Sequence, residues 1–219
     1  DLHYPPTRLI ALENTHNYCM GSPIKPEYMQ QAGNLAKRYN LKIHVDGARI
    51  FNAAVAMEVD VKDLVSEADS VMFCLSKGLS APVGSLVCGN KEFINKARKW
   101  RKMVGGGMRQ SGHLAAAGII ALGELVDRLK EDHSNAQALA QGLAGLKGIV
   151  LKPDLIKTNI IFFRLEHPTL SPEIFFKKLE SQGIKILMMQ VGVFRAVLHR
   201  EISESQIERV IHTSEELTK

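Results

Sequence analysis

Lys77 closes an apolar run and is followed by glycine, in Val71-Met-Phe-Cys-Leu-Ser-Lys-Gly-Leu79. With its stem buried, such an amine loses its proton more easily and can condense with a carbonyl to a Schiff base. The plainer use of a lysine here is to snorkel from a strand end to water. Upstream, His44-Val-Asp-Gly-Ala-Arg49 puts Asp46 at the carboxyl end of another predicted strand, where open α/β sheets gather their ligands. A carboxylate there can keep a ring nitrogen protonated, so that the ring accepts electrons from a breaking bond. The alternative is an Asp-Gly turn in which Arg49 pairs locally with Asp46.

Other groups are weaker alone. His3 and His16 flank the first apolar run and suit acid–base work, although a lone histidine more often caps a turn. Gly105-Gly-Gly-Met-Arg-Gln-Ser-Gly112, with Arg109 and nearby Lys102, has amides and cations for an anion. It matches neither dinucleotide nor P-loop spacing, and an inter-helix joint is its default reading. Arg195 and His199 lie near the last predicted strand, where an arginine can clamp a carboxylate with two donors or form an exposed salt bridge. No His/Cys/Asp set has zinc spacing, so no metal is expected, and no Gly-x-Ser-x-Gly elbow occurs.

These residues need elements to place them. Helical spacing over 27–39, 51–57 and 91–103 alternates with apolar strands over 9–13, 41–45, 71–75 and 83–88. That order predicts a mainly parallel sheet flanked by helices, with 71–75 fully buried. Residues 114–125 form an apolar, alanine-rich helix, and 126–146 continue as an amphipathic one. Strand, helix, strand, strand and helix follow over 158–164, 172–182, 184–188, 194–198 and 204–217. The expectation is a large α/β domain over 1–125, then a linking helix and a small α+β domain over 126–219.

Composition narrows the function classes. The 219 residues are 45% hydrophobic and 23% charged, enough to build a core. There are 28 Lys+Arg against 23 Asp+Glu, a net charge of +5, but much of the excess clusters over 91–102 without interleaved aromatics. That argues for a solvated helix face and an anionic small molecule rather than nucleic acid. No apolar run nears the roughly 18–20 residues of a membrane span. Three cysteines (Cys19, Cys74 and Cys88) cannot all pair and read as reduced thiols, which suits the cytoplasm or an organelle matrix. The chain opens Asp-Leu-His without Met and soon enters an apolar run, so a further N-terminal portion is expected.

Read in order, four stretches are far more specific than any one. Glu13-Asn-Thr-His-Asn17, His44-Val-Asp-Gly-Ala-Arg-Ile-Phe-Asn52, Cys74-Leu-Ser-Lys-Gly-Leu-Ser-Ala-Pro-Val-Gly-Ser85 and Arg101-Lys-Met-Val-Gly-Gly-Gly-Met-Arg-Gln-Ser-Gly112 closely resemble the threonine aldolases. These belong to the beta-eliminating lyase/threonine aldolase group of fold-type-I pyridoxal-phosphate (PLP) enzymes. The likeness runs on through Thr158-Asn159 to Arg195-Ala-Val-Leu-His199. It implies PLP-dependent retro-aldol cleavage of L-threonine and L-allo-threonine to glycine and an aldehyde, in a homo-oligomer. It also implies that Lys77 binds the cofactor covalently beside Ser76, that Asp46 meets the pyridine nitrogen and that Arg49 lies against the phenolic oxygen. Arg195 would take the substrate carboxylate, His3 would sit near the substrate hydroxyl with His16 as a second active-site histidine, and Lys102 and Arg109 would approach phosphate or substrate across a subunit interface. The sequence departs from the pattern at Met20-Gly21, where the family has a glycine pair, and at Leu198, which replaces a usual threonine. The family's upstream half-domain, with its phosphate loop and ring-stacking histidine, has no counterpart among these residues. A β-eliminating lyase, a racemase and a shortened copy without catalysis of its own are the alternatives.

Overall fold

Val45 and Ile43 alternate with His44 and Asp46 along one short strand, and that period of two decides which face carries chemistry. In the computed structural model, which describes residues 2–219, the strand is β2, Lys42–Asp46. Ile43 and Val45 are fully buried, whereas His44 and Asp46 point to the opposite, half-buried face. Their apolar partners come from α1 (Pro26–Arg38), through Met29 and Ala36, and from α2 (Ile50–Met57), through Ile50, Ala53 and Ala54. Full burial of each large side chain contributes about 1.5–3 kcal/mol.

The chain divides into two compact units. Of the described residues, unit 1 holds 2–15 and 23–127, and unit 2 holds 16–22 and 128–219. In unit 1, β1 (Leu9–Glu13), β2, β3 (Ser70–Cys74) and β4 (Ser85–Gly89) lie side by side in that order. The first two pairings are parallel and the β3–β4 pairing is antiparallel. The expected mainly parallel sheet is therefore present with one antiparallel edge. Strand β3 is only half-buried along most of its length, not fully buried as its composition suggested. Unit 1 continues through α3 (Lys91–Met103) and α4 (Gly112–Glu124). Asn90 starts α3 by accepting the Phe93 N–H at 2.8 Å.

The amphipathic pattern over 126–146 is not one helix with α4. Turns interrupt it, and α5 (Leu129–Ala144) begins unit 2. Unit 2 has an antiparallel sheet in the order β5 (Ile149–Val150), β6 (Ile160–Leu165), β8 (Val193–Val197) and β7 (Leu187–Gln190). Phe163, Phe175 and Phe194 form its centre, with Phe163 stacked on Phe194 at 5.3 Å and Phe175 edge-on at 5.5 Å. Helices α6 (Pro172–Ser181) and α7 (Glu204–Thr218) add Phe175, Leu179 and Ile207 to the same core. Ser203 and Gln206 close a capping box at the start of α7.

Candidate active site

Unit 1 gathers Asp46, Arg49, Ser76 and Lys77 beyond the carboxyl ends of two adjacent parallel strands. Asp46 is the last residue of β2 and stands in register with Met72 of β3. One carboxylate oxygen, Oδ1, accepts the Ala48 N–H at 3.0 Å. Gly47 is forced at this corner: its N–H donates to Met72 O at 2.7 Å, and a Cβ would sit 2.8 Å from that oxygen. Arg49 then caps α2 and is half-buried.

Lys77 lies three residues past the end of β3. The turn that carries it is closed by Ser80 N–H to Lys77 O at 2.9 Å and by Ala81 N–H to Leu75 O at 3.0 Å. Leu75, Gly78 and Leu79 are buried beneath it. Lys77 and Ser76 are themselves exposed, so the buried stem expected for Lys77 is not found. A turn rather than a strand end displays the amine, which explains the difference. The Lys77 side chain forms no ion pair or hydrogen bond with a described residue.

The remaining predicted residues divide by unit. His3 lies in an exposed turn ahead of β1. Lys102 lies in the last turn of α3 and Arg109 beyond its end, both exposed in unit 1. The glycine run is not an open cradle of amides. Gly106 N–H donates to Arg101 O at 2.8 Å and Gly105 N–H to Lys102 O at 3.3 Å, so these two amides terminate the helix. His16 and Arg195 belong to unit 2. Arg195, on β8, is half-buried, and its Nη1 donates to Asn17 Oδ1 at 2.7 Å. His199 is exposed just beyond the same strand, with Nδ1 accepting the Glu201 N–H at 3.4 Å.

Asn17 and Thr158 had no role assigned from sequence. Thr158 Oγ1 donates to Gly21 O at 2.8 Å, and both contacts span more than a hundred residues of chain. Nothing local in the sequence signals such pairings. Among the described residues no group of three His, Cys, Asp or Glu side chains could hold a metal. Among the described residues the three cysteines are free, and no helix is long and apolar enough to cross a membrane.

A family profile described as beta-eliminating lyase matches residues 1–166. The chain belongs to the beta-eliminating lyase family. It is 46% identical over 218 residues to the probable low-specificity L-threonine aldolase 2 of Arabidopsis thaliana, covering 99% of this chain and 61% of that protein. It is 43% identical over 210 residues to the low specificity L-threonine aldolase of Escherichia coli, covering 96% of this chain and 60% of the relative. This family member thus spans about three fifths of the length of these relatives. Among solved structures, a Leishmania major threonine aldolase superposes with a TM-score of 0.78 at 18% identity, covering 100% of this chain and 64% of that one. A putative L-allo-threonine aldolase from Listeria monocytogenes gives 0.79 at 17% identity, covering 94% of this chain and 60% of the other. The shared fold is the fold-type-I α/β fold expected from the sequence.

Proposed function

We propose that the chain carries the lysine and ring-binding part of a PLP-dependent aldehyde-lyase, which cleaves L-threonine and L-allo-threonine to glycine and an aldehyde. One observation carries this reading: Asp46 ends β2 in register with β3, and Lys77, exposed and with a side chain that bonds to no described residue, follows that adjacent parallel strand. That pair fits a pyridine ring, whose nitrogen needs an acceptor and whose aldehyde needs an amine. Bound PLP supplies an electron sink for the Cα–Cβ bond of a β-hydroxy-α-amino acid.

The residues of this chain then have distinct tasks. Lys77 would hold the cofactor through its amine. Asp46 would accept the hydrogen bond of the protonated ring nitrogen. Arg49 and Ser76 would help to hold the cofactor, Arg49 toward its phenolic oxygen. Arg195 takes the substrate α-carboxylate, which orients the bond to be broken. His3 or His16 accepts the β-hydroxyl proton as the aldehyde forms. Lys102 and Arg109, exposed near Trp100, Met103 and Val104, serve a neighbouring subunit. This exposed apolar and basic surface supports a homo-oligomer, and three free cysteines support a cytoplasmic setting.

Incubation with PLP, borohydride reduction and peptide mapping tests the reading. Labelling confined to Lys77, and lost in Lys77→Ala, is the expected result. Labels scattered over the lysines of α3 would overturn it. Product analysis with threonine separates the chemistries, since glycine with acetaldehyde marks the aldolase and 2-oxobutanoate with ammonia marks elimination.

A further inference from the structure

We propose that Asn17 is a positioning residue for Arg195, which turns the Nε–Nη2 edge of the guanidinium into the seat of a carboxylate. The proposal rests on the carboxylate role given to Arg195 above. It begins from the hydrogen bonds of one side chain. Arg195 Nη1 donates to Asn17 Oδ1 at 2.7 Å, a short bond of the charge-assisted kind. The Nε atom is buried and donates to nothing in the described chain. Leaving a buried donor of a charged group unmet costs about 1–3 kcal/mol or more, so its retention calls for an acceptor.

The side-on edge of a guanidinium, Nε with Nη2, has the spacing that matches both oxygens of a carboxylate. Asn17 occupies Nη1 and leaves Nε without a partner among the described residues. An amide suits this task because it accepts a hydrogen bond without cancelling the charge. An aspartate in its place would hold the guanidinium equally well while competing with the incoming anion.

Asn17 is itself held. Cys19 N–H and Gly21 N–H both donate to His16 O, at 3.2 and 3.1 Å, and Met20 N–H donates to Asn17 O at 3.1 Å. Gly21 O in turn accepts from buried Thr158 Oγ1 at 2.8 Å, next to β6, the strand paired with Arg195's own β8. With φ +67° and only 2.5 Å from a would-be Cβ to Thr158 Oγ1, Gly21 is the residue that allows this approach. The turn is therefore clamped at one end, and Asn17 meets β8 from a fixed base.

Nuclear magnetic resonance of the full 219-residue chain, titrated with sodium acetate against sodium chloride of equal ionic strength, tests the assignment. The Arg195 Nε–H signal is identified by its loss in Arg195→Lys, and core methyl signals report folding of each variant. In the parent chain acetate should shift that signal. In Asn17→Ala the acetate affinity should fall by roughly tenfold or more, as expected for losing a hydrogen bond to a charged group. In Asn17→Asp the guanidinium should remain ordered, with slow rotation, yet acetate binding should be lost. Equal acetate midpoints in the parent and Asn17→Ala would overturn the role of Asn17 alone. An Arg195 signal that acetate does not move in the parent would overturn the carboxylate role of Arg195, and this proposal with it.

Discussion

Gly47 donates its N–H to the carbonyl of Met72 at 2.7 Å, which ties the turn after β2 to the strand beside it. A Cβ at position 47 would come within 2.8 Å of that same carbonyl oxygen, and within 3.1 and 3.2 Å of Ile50 and Val71. The obstacle is backbone, so it cannot rotate away. Gly47→Ala should destabilise unit 1 by about 1–3 kcal/mol, read as a lower urea midpoint with an unchanged slope. Gly112→Ala is the control, since nothing lies within 4 Å of its would-be Cβ, and it should leave the midpoint unchanged or raised. Equal effects of the two changes would refute the steric account.

The same corner separates stability from chemistry at Asp46. Its Oδ1 accepts the Ala48 N–H at 3.0 Å, an interaction that the side-chain oxygen of an asparagine would keep. Asp46→Asn should therefore alter unfolding free energy by less than about 0.5 kcal/mol, as half-buried isosteric changes away from core packing usually do. Under the proposed function it should also abolish most PLP-dependent turnover, because a neutral amide does not hold a proton on the ring nitrogen. Circular dichroism melts and a glycine-release assay on the same preparations read the two effects. Retained turnover at parent levels would remove Asp46 from the chemistry.

How much of this could be read beforehand differs between the two units. The strand that ends at Asp46 was legible because a period of two fixes both a strand's face and its exit, whereas Lys77, read as ending an apolar strand, lies in a turn three residues past β3. Helix α3 was legible to the residue, since Asn90 caps it and the glycines stop it. The exposure of Lys77 was not, because burial of a turn depends on what packs against it and not on its neighbours in sequence. The break ahead of α5 was hidden as well, because residues 125–128 keep the apolar spacing of a helix while the chain makes turns. Least legible was the clamp on Arg195. Its partner Asn17 lies 178 residues away, and no local pattern carries so distant a pairing.

His133 gives the fold an acid sensitivity with a definite window. Burial lowers its pKa from 6.5 to about 4. Above pH 6.5 the ring is neutral in folded and unfolded chains alike, and stability is unaffected. As pH falls below that value the unfolded chain takes the proton first, so stability is lost down to about pH 4. The slope is at most about 1.4 kcal/mol per pH unit. Asp132 beside it acts in the opposite sense, because burial raises its pKa despite Arg128. His133→Gln should flatten the dependence of urea midpoint on pH between 6.5 and 4, whatever it does to stability at neutral pH. An unchanged slope would mean that other groups set the acid limit.

Arg128 and Asp132 open α5 as an ion pair that cannot be halved cheaply. Arg128 Nη2 meets Asp132 Oδ1 at 2.5 Å, and the carboxylate is only 1% exposed. Burial acts on Asp132 more strongly than the arginine does, which is why its pKa rises although a cation touches it. Asp132 Oδ2 and Arg128 Nε are both buried without a hydrogen-bond partner in the described chain, so the pair is itself incompletely satisfied. Glu131, 3.5 Å from Nη1 and largely exposed, adds little. Arg128→Met removes the cation that touches a buried carboxylate and should cost about 3–5 kcal/mol. Removing both charges, in Arg128→Met with Asp132→Leu, leaves no uncompensated ion and should recover most of that loss. Urea unfolding of the two single variants and the double variant measures the coupling. If the double variant loses the sum of the single effects, the two side chains act independently, and the start of α5 is held by packing instead.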